Sequence, residues 1–511
     1  MVKINTKNKR FTKIEINLSN LSSNIKFLKS LLVNPKTKIM AVVKSNAYGH
    51  GLVDISKQAA KSGVSALGVA LAEDAIKLRK SGITLPIYIL GEPPLEIVKD
   101  ALKYNFILCL NSYQKAKLVS NICERFGKKL SVHLKIDTGM NRVGINYRDA
   151  VKEILMIDEL KGLKIEGIFT HFSCASEPDP SYTLMQWERF QKILNEIQIR
   201  PVSNKNGKKN DNSKTNDNKQ ISNSLFNNIK NPIIHCANSA AFFRFKEFQC
   251  DMVRLGISIY GLSPFSWDAS TWLDDEIVAN LNKLKPILTL KSKISFVKYV
   301  PKGEAISYGA TFITKRPSII ATIPIGYADG YSRLFSNKAF VMINGDLAPV
   351  VGNVTMDQIM VDVTDVKNSS NIKEGTEVIL ISNQSTCNTK NSADIYNNAV
   401  SVSSKSKIAN KNAAEIADKS NIANKNVSII AERKDIAANS EISGKIYNNN
   451  NNNNVASNNK TNNISSSIAG NNNITSNNII VNADYLAHLI GTINYEILCM
   501  LKDRIPRIYV Y

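Results

Sequence analysis

The sequence predicts an α/β fold: a (β/α)8 TIM-type barrel over residues 12–264, followed by a mainly antiparallel β domain over 265–511 that also takes residues 1–11. Three observations predict it. Eight short apolar runs alternate with amphipathic helical patterns through the first 260 residues. From about Phe265 the rhythm changes to half-buried alternation and hairpin signals. Two asparagine-rich segments, about 201–231 and about 383–480, interrupt these patterns without belonging to either.

The eight runs are Ile39–Val43, Ala66–Ala70, Pro86–Leu90, Phe106–Leu110, Ser131–Ile136, Ile165–Thr170, Pro232–His235 and Val253–Tyr260. Before the first, Leu21, Ile25, Leu28 and Leu32 recur on one helical face, with Ser19 or Asn20 as the expected N-cap. Trp187, Phe190, Ile193, Leu194 and Ile197 make a second stripe, read as core packing rather than a binding box. A doubly wound sheet shows the same periodicity, so the pattern alone leaves it open. In the second block, Leu288, Leu290, Ile294 and Phe296 alternate as in one half-buried strand. Asn344-Gly345 sits where a type I′ hairpin turn belongs, and Glu377–Ile381 and Arg507–Tyr511 read as further strands.

The insertions carry few large apolar side chains. The first has ten Asn and six Lys in 31 residues; the second contains seven consecutive asparagines, Asn448–Asn454. Such composition cannot offset the entropy of ordering, so both are expected to be disordered, with weak helical patches around Ala413–Asp418. The net charge of +22 is dispersed. It lacks the basic and aromatic clustering of nucleic-acid sites, so no nucleic-acid partner is expected. No run of about 18 uncharged apolar residues occurs, which argues against a membrane span. Seven cysteines without Cys-x-x-Cys, and an N-terminus lacking an apolar signal region, fit a cytoplasmic protein.

Barrel chemistry gathers where strands end. After the first run comes Lys44-Ser-Asn-Ala-Tyr48-Gly-His50-Gly. A lysine there either snorkels to water or, desolvated, becomes a nucleophile. Later ends carry His133-Leu-Lys135-Ile-Asp137 running on to Arg142, then His171, Asn238-Ser239, and Arg254-Leu-Gly256-Ile257. The second block adds Tyr308, Tyr327, Met356-Asp357 and Tyr495. The five histidines lack His-Glu-x-x-His spacing, so no metal site is expected. Gly-x-Ser-x-Gly and the phosphate-binding loop motif are also missing.

In this order, the stretch Ala41-Val-Val-Lys-Ser-Asn-Ala-Tyr-Gly-His-Gly and the later motifs closely resemble alanine racemases. The resemblance covers nearly the whole chain outside the insertions. It implies pyridoxal phosphate (PLP) bound through Lys44, and interconversion of L- and D-alanine by two bases, Lys44 and Tyr308. Tyr308 would come from the partner subunit of a homodimer with shared sites. Tyr48, Ser239, Gly256, Ile257 and Tyr495 would anchor the phosphate; His171, Asn238 and Arg254 complete the cofactor set. Arg254 would face the pyridine nitrogen and His171 would link it to Tyr308. Arg142 would meet the substrate carboxylate and Met356 would line the substrate. Lys135 matches a lysine that many members carbamylate; Asp357 and Tyr327 would lie near the access path, and Asp137 and His50 read equally as ordinary strand-end hydrogen bonders. The family's role is supplying D-alanine for peptidoglycan. Two rival readings remain at this level. One is a barrel-fold PLP amino-acid decarboxylase, disfavoured by Arg254 and Tyr308. The other is a basic, non-enzymatic interaction protein driven by the insertions.

Overall fold

A computed structural model describes residues 10–199, 229, 231–266, 269–383 and 481–511. The two asparagine-rich insertions, with the Ala413–Asp418 patches, fall almost entirely outside them.

Strand β1 (Lys13–Asn17) opens the chain and belongs to the second domain, as described below. The barrel follows as β2 (Lys38–Val42), β3 (Ala66–Val69), β4 (Ile87–Ile89), β5 (Phe106–Leu110), β6 (Leu130–Asp137), β7 (Ile145–Asn146), β8 (Leu163–Phe169), β9 (Ile233–His235) and β10 (Met252–Leu255). Eight of these run parallel in the order β10-β2-β3-β4-β5-β6-β8-β9, with β7 set beside the end of β6. The seam between β9 and β10 is held by few bonds. The Asp251 N–H donates to Ile234 O at 3.0 Å and the Arg254 N–H to Ala237 O at 3.0 Å. The Asp251 carboxylate accepts the Ile234 N–H at 2.9 Å, supplying one partner that the ladder does not. A nearly closed barrel therefore replaces the doubly wound alternative.

All eight apolar runs are strands, because each is flanked by polar turns and is buried on both faces. The last run is shorter than expected. It stops at Leu255, and Ile257–Tyr260 form a 3-10 turn, because the backbone breaks from extended geometry at Gly256 (φ −107°, ψ −99°). Side chains alternate between the interior and the surrounding helices. One interior layer is Met40, Ala66, Tyr88, Ile107 and Met252, with Leu90 and Ile233 against it. Two residues beyond Met252 and Ile233, on the same inward face, stand Arg254 and His235; the layer that carries chemistry rests directly on an apolar one.

The first helix spans Leu18–Ser30 with Leu21, Ile25 and Leu28 buried; Leu32 lies beyond its end. Its cap is Asn17, whose Oδ1 accepts the Asn20 N–H at 2.8 Å. Ser19 and Asn20, the expected caps, lie inside the helix because β1 runs into it without a loop. The helix Ser181–Glu196 buries Trp187, Phe190, Ile193 and Leu194, with Trp187 packed on Phe248 at 4.7 Å between rings. That stripe is core.

The second domain comprises β11 (Leu288–Lys293), β12 (Phe296–Val300), β13 (Ala305–Ile306), β14 (Phe312–Ile313), β15 (Ser318–Ile323), β16 (Phe340–Ile343), β17 (Asp346–Pro349), β18 (Ile359–Asp362), β19 (Glu377–Ile381) and β20 (Arg507–Val510). Six strands form one sheet in the order β17-β16-β19-β11-β1-β20; β12, β15 and β18 form another. All pairings are antiparallel except β1 with β20. Asn344 and Gly345 both have positive φ, as a type I′ turn requires. Leu288–Phe296 is not one strand. The chain changes sheets at Ile294 and Ser295, which donate to Thr376 O and Thr322 O, and Phe296 is 59% exposed. The barrel segment also begins later than expected, since Lys13–Asn17 pairs in the β sheet, burying Ile14 and Ile16 there.

Candidate active site

Lys44 follows β2 directly, where the backbone makes an unusual turn. Ser45, Asn46, Ala47 and Tyr48 are consecutive left-handed residues with φ of 53° to 55°. Each costs an L-residue about 1–2 kcal/mol, and strain of this kind persists only when the surroundings fix it. The fixing contacts are present. The Ala47 N–H donates to Val43 O, Asn46 Oδ1 accepts the Leu52 N–H at 2.8 Å, and Asn46 Nδ2 donates to Asp503 at 2.8 Å. His50 is an ordinary support here, bonded through Nδ1 to Ala47 O and stacked on Tyr260.

A cavity of 450 Å³ opens beside Lys44 at the strand ends, within the usual range for small-molecule sites. It brings together ten of the residues expected from sequence: Lys44, Tyr48, Lys135, Arg142, His171, Asn238, Ser239, Arg254, Gly256 and Ile257, with Tyr495 as the eleventh. Four are lysines or arginines, Lys44, Lys135, Arg142 and Arg254. Crowding them lowers the Lys44 ammonium, through burial first and Arg142 second, although the side chain stays accessible at the mouth. Lys135 is buried and pushed down to about 8 by burial, then by Arg142 and Arg254.

Arg254 is 4% exposed, and among the described residues no carboxylate pairs with it. Its Nη1 lies 2.9 Å from His235 Nδ1, and its Nη2 lies 3.1 Å from His171 Nδ1. Nη2 also reaches Thr170 O and Cys236 O, each at 2.9 Å. Phe169 lies under the guanidinium at 5.3 Å. Burial lowers its pKa to about 10, which leaves it charged at neutral pH.

One wall suits an anion. The Ser239 hydroxyl accepts the Gly256 N–H at 3.0 Å and a bond from Ser258 Oγ at 3.1 Å, tying the ends of β9 and β10 together. A side chain at 256 is excluded, because a Cβ there would sit 2.6 Å from the Tyr48 hydroxyl oxygen. Tyr48 packs on Tyr260 and Tyr495, and burial raises the phenols of Tyr48 and Tyr495. Both therefore remain hydroxyl donors at neutral pH. Asn238 lines the cavity but also caps the helix Ser239–Arg244, its Oδ1 accepting the Ala241 N–H at 3.0 Å.

Tyr308 and Met356 do not join this group. They line a second cavity, of 560 Å³, with Tyr327, Asn353, Asp357 and Arg333. Tyr308 is 74% exposed and Met356 54%. The Tyr308 carbonyl accepts Asn353 Nδ2 at 2.7 Å, and Ser307 Oγ donates to Asn353 O at 2.6 Å. Asp357 is paired with Arg504 at 2.6 Å. Asp137 caps its own turn, accepting the Gly139 and Asn141 N–H groups. Sequence reading gave no role to Leu90, Gly91, Glu92 or Ser176, which also line the first cavity. Leu90 to Glu92 follow β4 directly, the same strand-end signal that pointed to Lys44.

The residues fit PLP. Two arginines, two lysines and a wall of hydroxyl groups match a phosphorylated, multiply anionic group, and one of those lysines, Lys44, is accessible with a lowered pKa at its edge. Comparison with known proteins agrees. The profile of the alanine racemase N-terminal domain matches residues 16–210 and 202–264, and that of the C-terminal domain matches 287–412. The alanine racemase of Halothermothrix orenii is 39% identical over 382 residues, covering 74% of this chain and 90% of its own length. That of Clostridium novyi is 32% identical over 497 residues, 97% of this chain and 94% of its own. Among solved structures, alanine racemase of Clostridium difficile 630 superposes with a TM-score of 0.67 at 30% identity, covering 99% of this chain and 97% of its own. Matched through both its barrel and its β domain, the chain belongs to the alanine racemase family of PLP-dependent enzymes.

Proposed function

We propose that this chain interconverts L- and D-alanine as a cytoplasmic homodimer, each site taking Lys44 from one protomer and Tyr308 from the other. The observation that carries the reading is the division of the site. Lys44 and the cofactor-fitting groups line one cavity, whereas Tyr308 and Met356 line another, exposed one. Racemisation needs a base on each face of the α-carbon, so neither half suffices.

PLP, when bound, draws electron density from the substrate α-carbon and acidifies its C–H. The chain's residues do the rest. Tyr48, Ser239, Tyr495 and the backbone N–H groups of Gly256 and Ile257 would hold the phosphate, the Gly256 N–H exchanging its bond to Ser239 Oγ for one to the anion. Arg254 offers only donors and would keep a ring nitrogen facing it unprotonated, unlike the carboxylate of a decarboxylase site. Arg142 would take the substrate carboxylate, and Met356 would lie against the methyl group. Lys44 can take or return a proton because its ammonium is disfavoured. Tyr308 serves the opposite face, with His171 as the link from Arg254. Lys135 has a sizeable neutral fraction near pH 8, which suits carbamylation; the resulting negative charge would pair with Arg142.

Borohydride reduction of the PLP-loaded protein, followed by peptide mapping, should place the label on Lys44. Lys44→Ala should lose racemisation in both directions by at least about a thousandfold. A label on another lysine, or racemisation retained in Lys44→Ala, overturns the reading.

A further inference from the structure

Two imidazoles stand behind Arg254, and neither lines the cavity. His235 Nδ1 lies 2.9 Å from Arg254 Nη1, and His235 Nε2 lies 2.8 Å from His133 Nδ1. Both rings are fully buried. A guanidinium only donates, so every nitrogen facing it must bring a lone pair. His235 therefore carries its proton on Nε2 and donates it to His133 Nδ1. His133 must accept there, which puts its own proton on Nε2. His171, which lines the cavity, faces Arg254 through Nδ1 at 3.1 Å and by the same rule is neutral with its proton on Nε2. One fixed charge thus sets the tautomers of three rings, and protonating any of them would oppose two donors.

The surroundings agree. His133 is edge-on to Tyr88 at 4.8 Å, and Phe169 stacks on His235 at 4.6 Å. A Cβ at Gly167 would overlap the His133 ring, so glycine there makes room for the imidazole. The charges facing the rings are cationic: Lys38 and Arg254 on His133, Arg254 on His235, and Arg254, Lys135, Arg142 and Lys44 on His171. Burial acts in the same direction and keeps all three neutral. The His133 Nε2 has no hydrogen-bond partner among the described residues. An apolar residue at 133 would remove that unpaired N–H but would strand the buried His235 Nε2–H instead. The acceptor at Nδ1 is what a histidine adds.

We propose that His133 is a positioning residue: by accepting the His235 Nε2–H it holds the His235 ring, and through it the Arg254 guanidinium, in the orientation that faces His171 and the cavity. The kinetic part of this proposal rests on the racemase reading; the proton arrangement does not.

The test is nitrogen NMR of the PLP-loaded protein with ring-labelled histidine, the five histidines being assigned by single substitutions. Residues 133, 171 and 235 should each be neutral with the proton on Nε2 from pH 6 to 8. His133→Phe should leave the His235 Nε2–H a buried donor without its acceptor, move its nitrogen resonance, and make the cofactor absorbance titrate within that range. It should lower kcat about tenfold with KM nearly unchanged, a modest cost for a misplaced group. His133→Gln, whose amide oxygen accepts, should restore the pH profile. A cationic or Nδ1-protonated ring at any of the three positions overturns the proposal. So does a folded His133→Phe protein with unchanged spectrum and kcat. The nitrogen spectrum of the unsubstituted protein decides the proton arrangement whether or not His133→Phe folds. A wild-type protein that fails to racemise alanine refutes the proposed function but leaves that spectrum readable.

Discussion

Burial, more than any partner, sets the charge of the histidines in this barrel. His50 is lowered to about 4 and His133 to about 3, and His235 lies well below its usual value. An unfolded histidine titrates near 6.5. Below that pH the unfolded chain binds protons that the folded chain refuses, so stability is complete above about 6.5 and falls with pH. Each such residue contributes a slope of about 1.4 kcal/mol per pH unit between roughly pH 6.5 and its folded value. Urea unfolding of the cofactor-free protein should therefore show a clear loss from pH 7 to pH 5, above the carboxylate range. His133→Gln should flatten the slope by one histidine's share, and identical slopes would contradict the burial argument. Lys44 and Arg254 were legible in the sequence because their neighbours form specific motifs at strand ends. His133 and His235 were visible as residues but not as a relay. Their meaning depends on which nitrogen faces which across the barrel interior, between strands separated by β8, and spacing along a chain does not encode that.

The strands were the most legible elements, since short apolar runs bounded by turns leave few alternatives. Boundaries were less so. The first helix begins where β1 ends, and the residue that satisfies its free N–H groups is Asn17, the last of the strand. Asn17→Ala should cost about 1 kcal/mol, whereas Ser19→Ala, on an exposed helical position, should be close to neutral. Thermal melts of both variants decide between the two caps. The strand expected over Leu288–Phe296 failed for a related reason: alternation continues through Ile294 although the hydrogen-bond partners change from one sheet to another. The left-handed turn Ser45–Tyr48 gave little sequence signal, because of its four residues only Asn46 favours positive φ.

For the assembled molecule, the separation of Lys44 from Tyr308 leads to a complementation experiment. Lys44→Ala and Tyr308→Phe homodimers should each be nearly inactive. After mixed dissociation and reassociation, about half the dimers are heterodimers and half their sites regain both bases, so activity should reach about a quarter of wild type per site. A mixture as inactive as its parents, with subunit exchange proven by labelling, would place both bases in one chain. The pairing of β1 with β20 has a different consequence, in the order of synthesis. β1 is made before every other described strand, while its neighbours β11 and β20 follow the barrel, and β20 is the last described strand to leave the ribosome. Contacts this distant in sequence close slowly. The barrel strands are all available once Leu255 has emerged, but Ile14 and Ile16 must wait, uncovered, for the sheet that buries them. A nascent chain therefore carries a finished barrel trailing a sticky leading strand, and that strand is where a chaperone has the longest opportunity to bind.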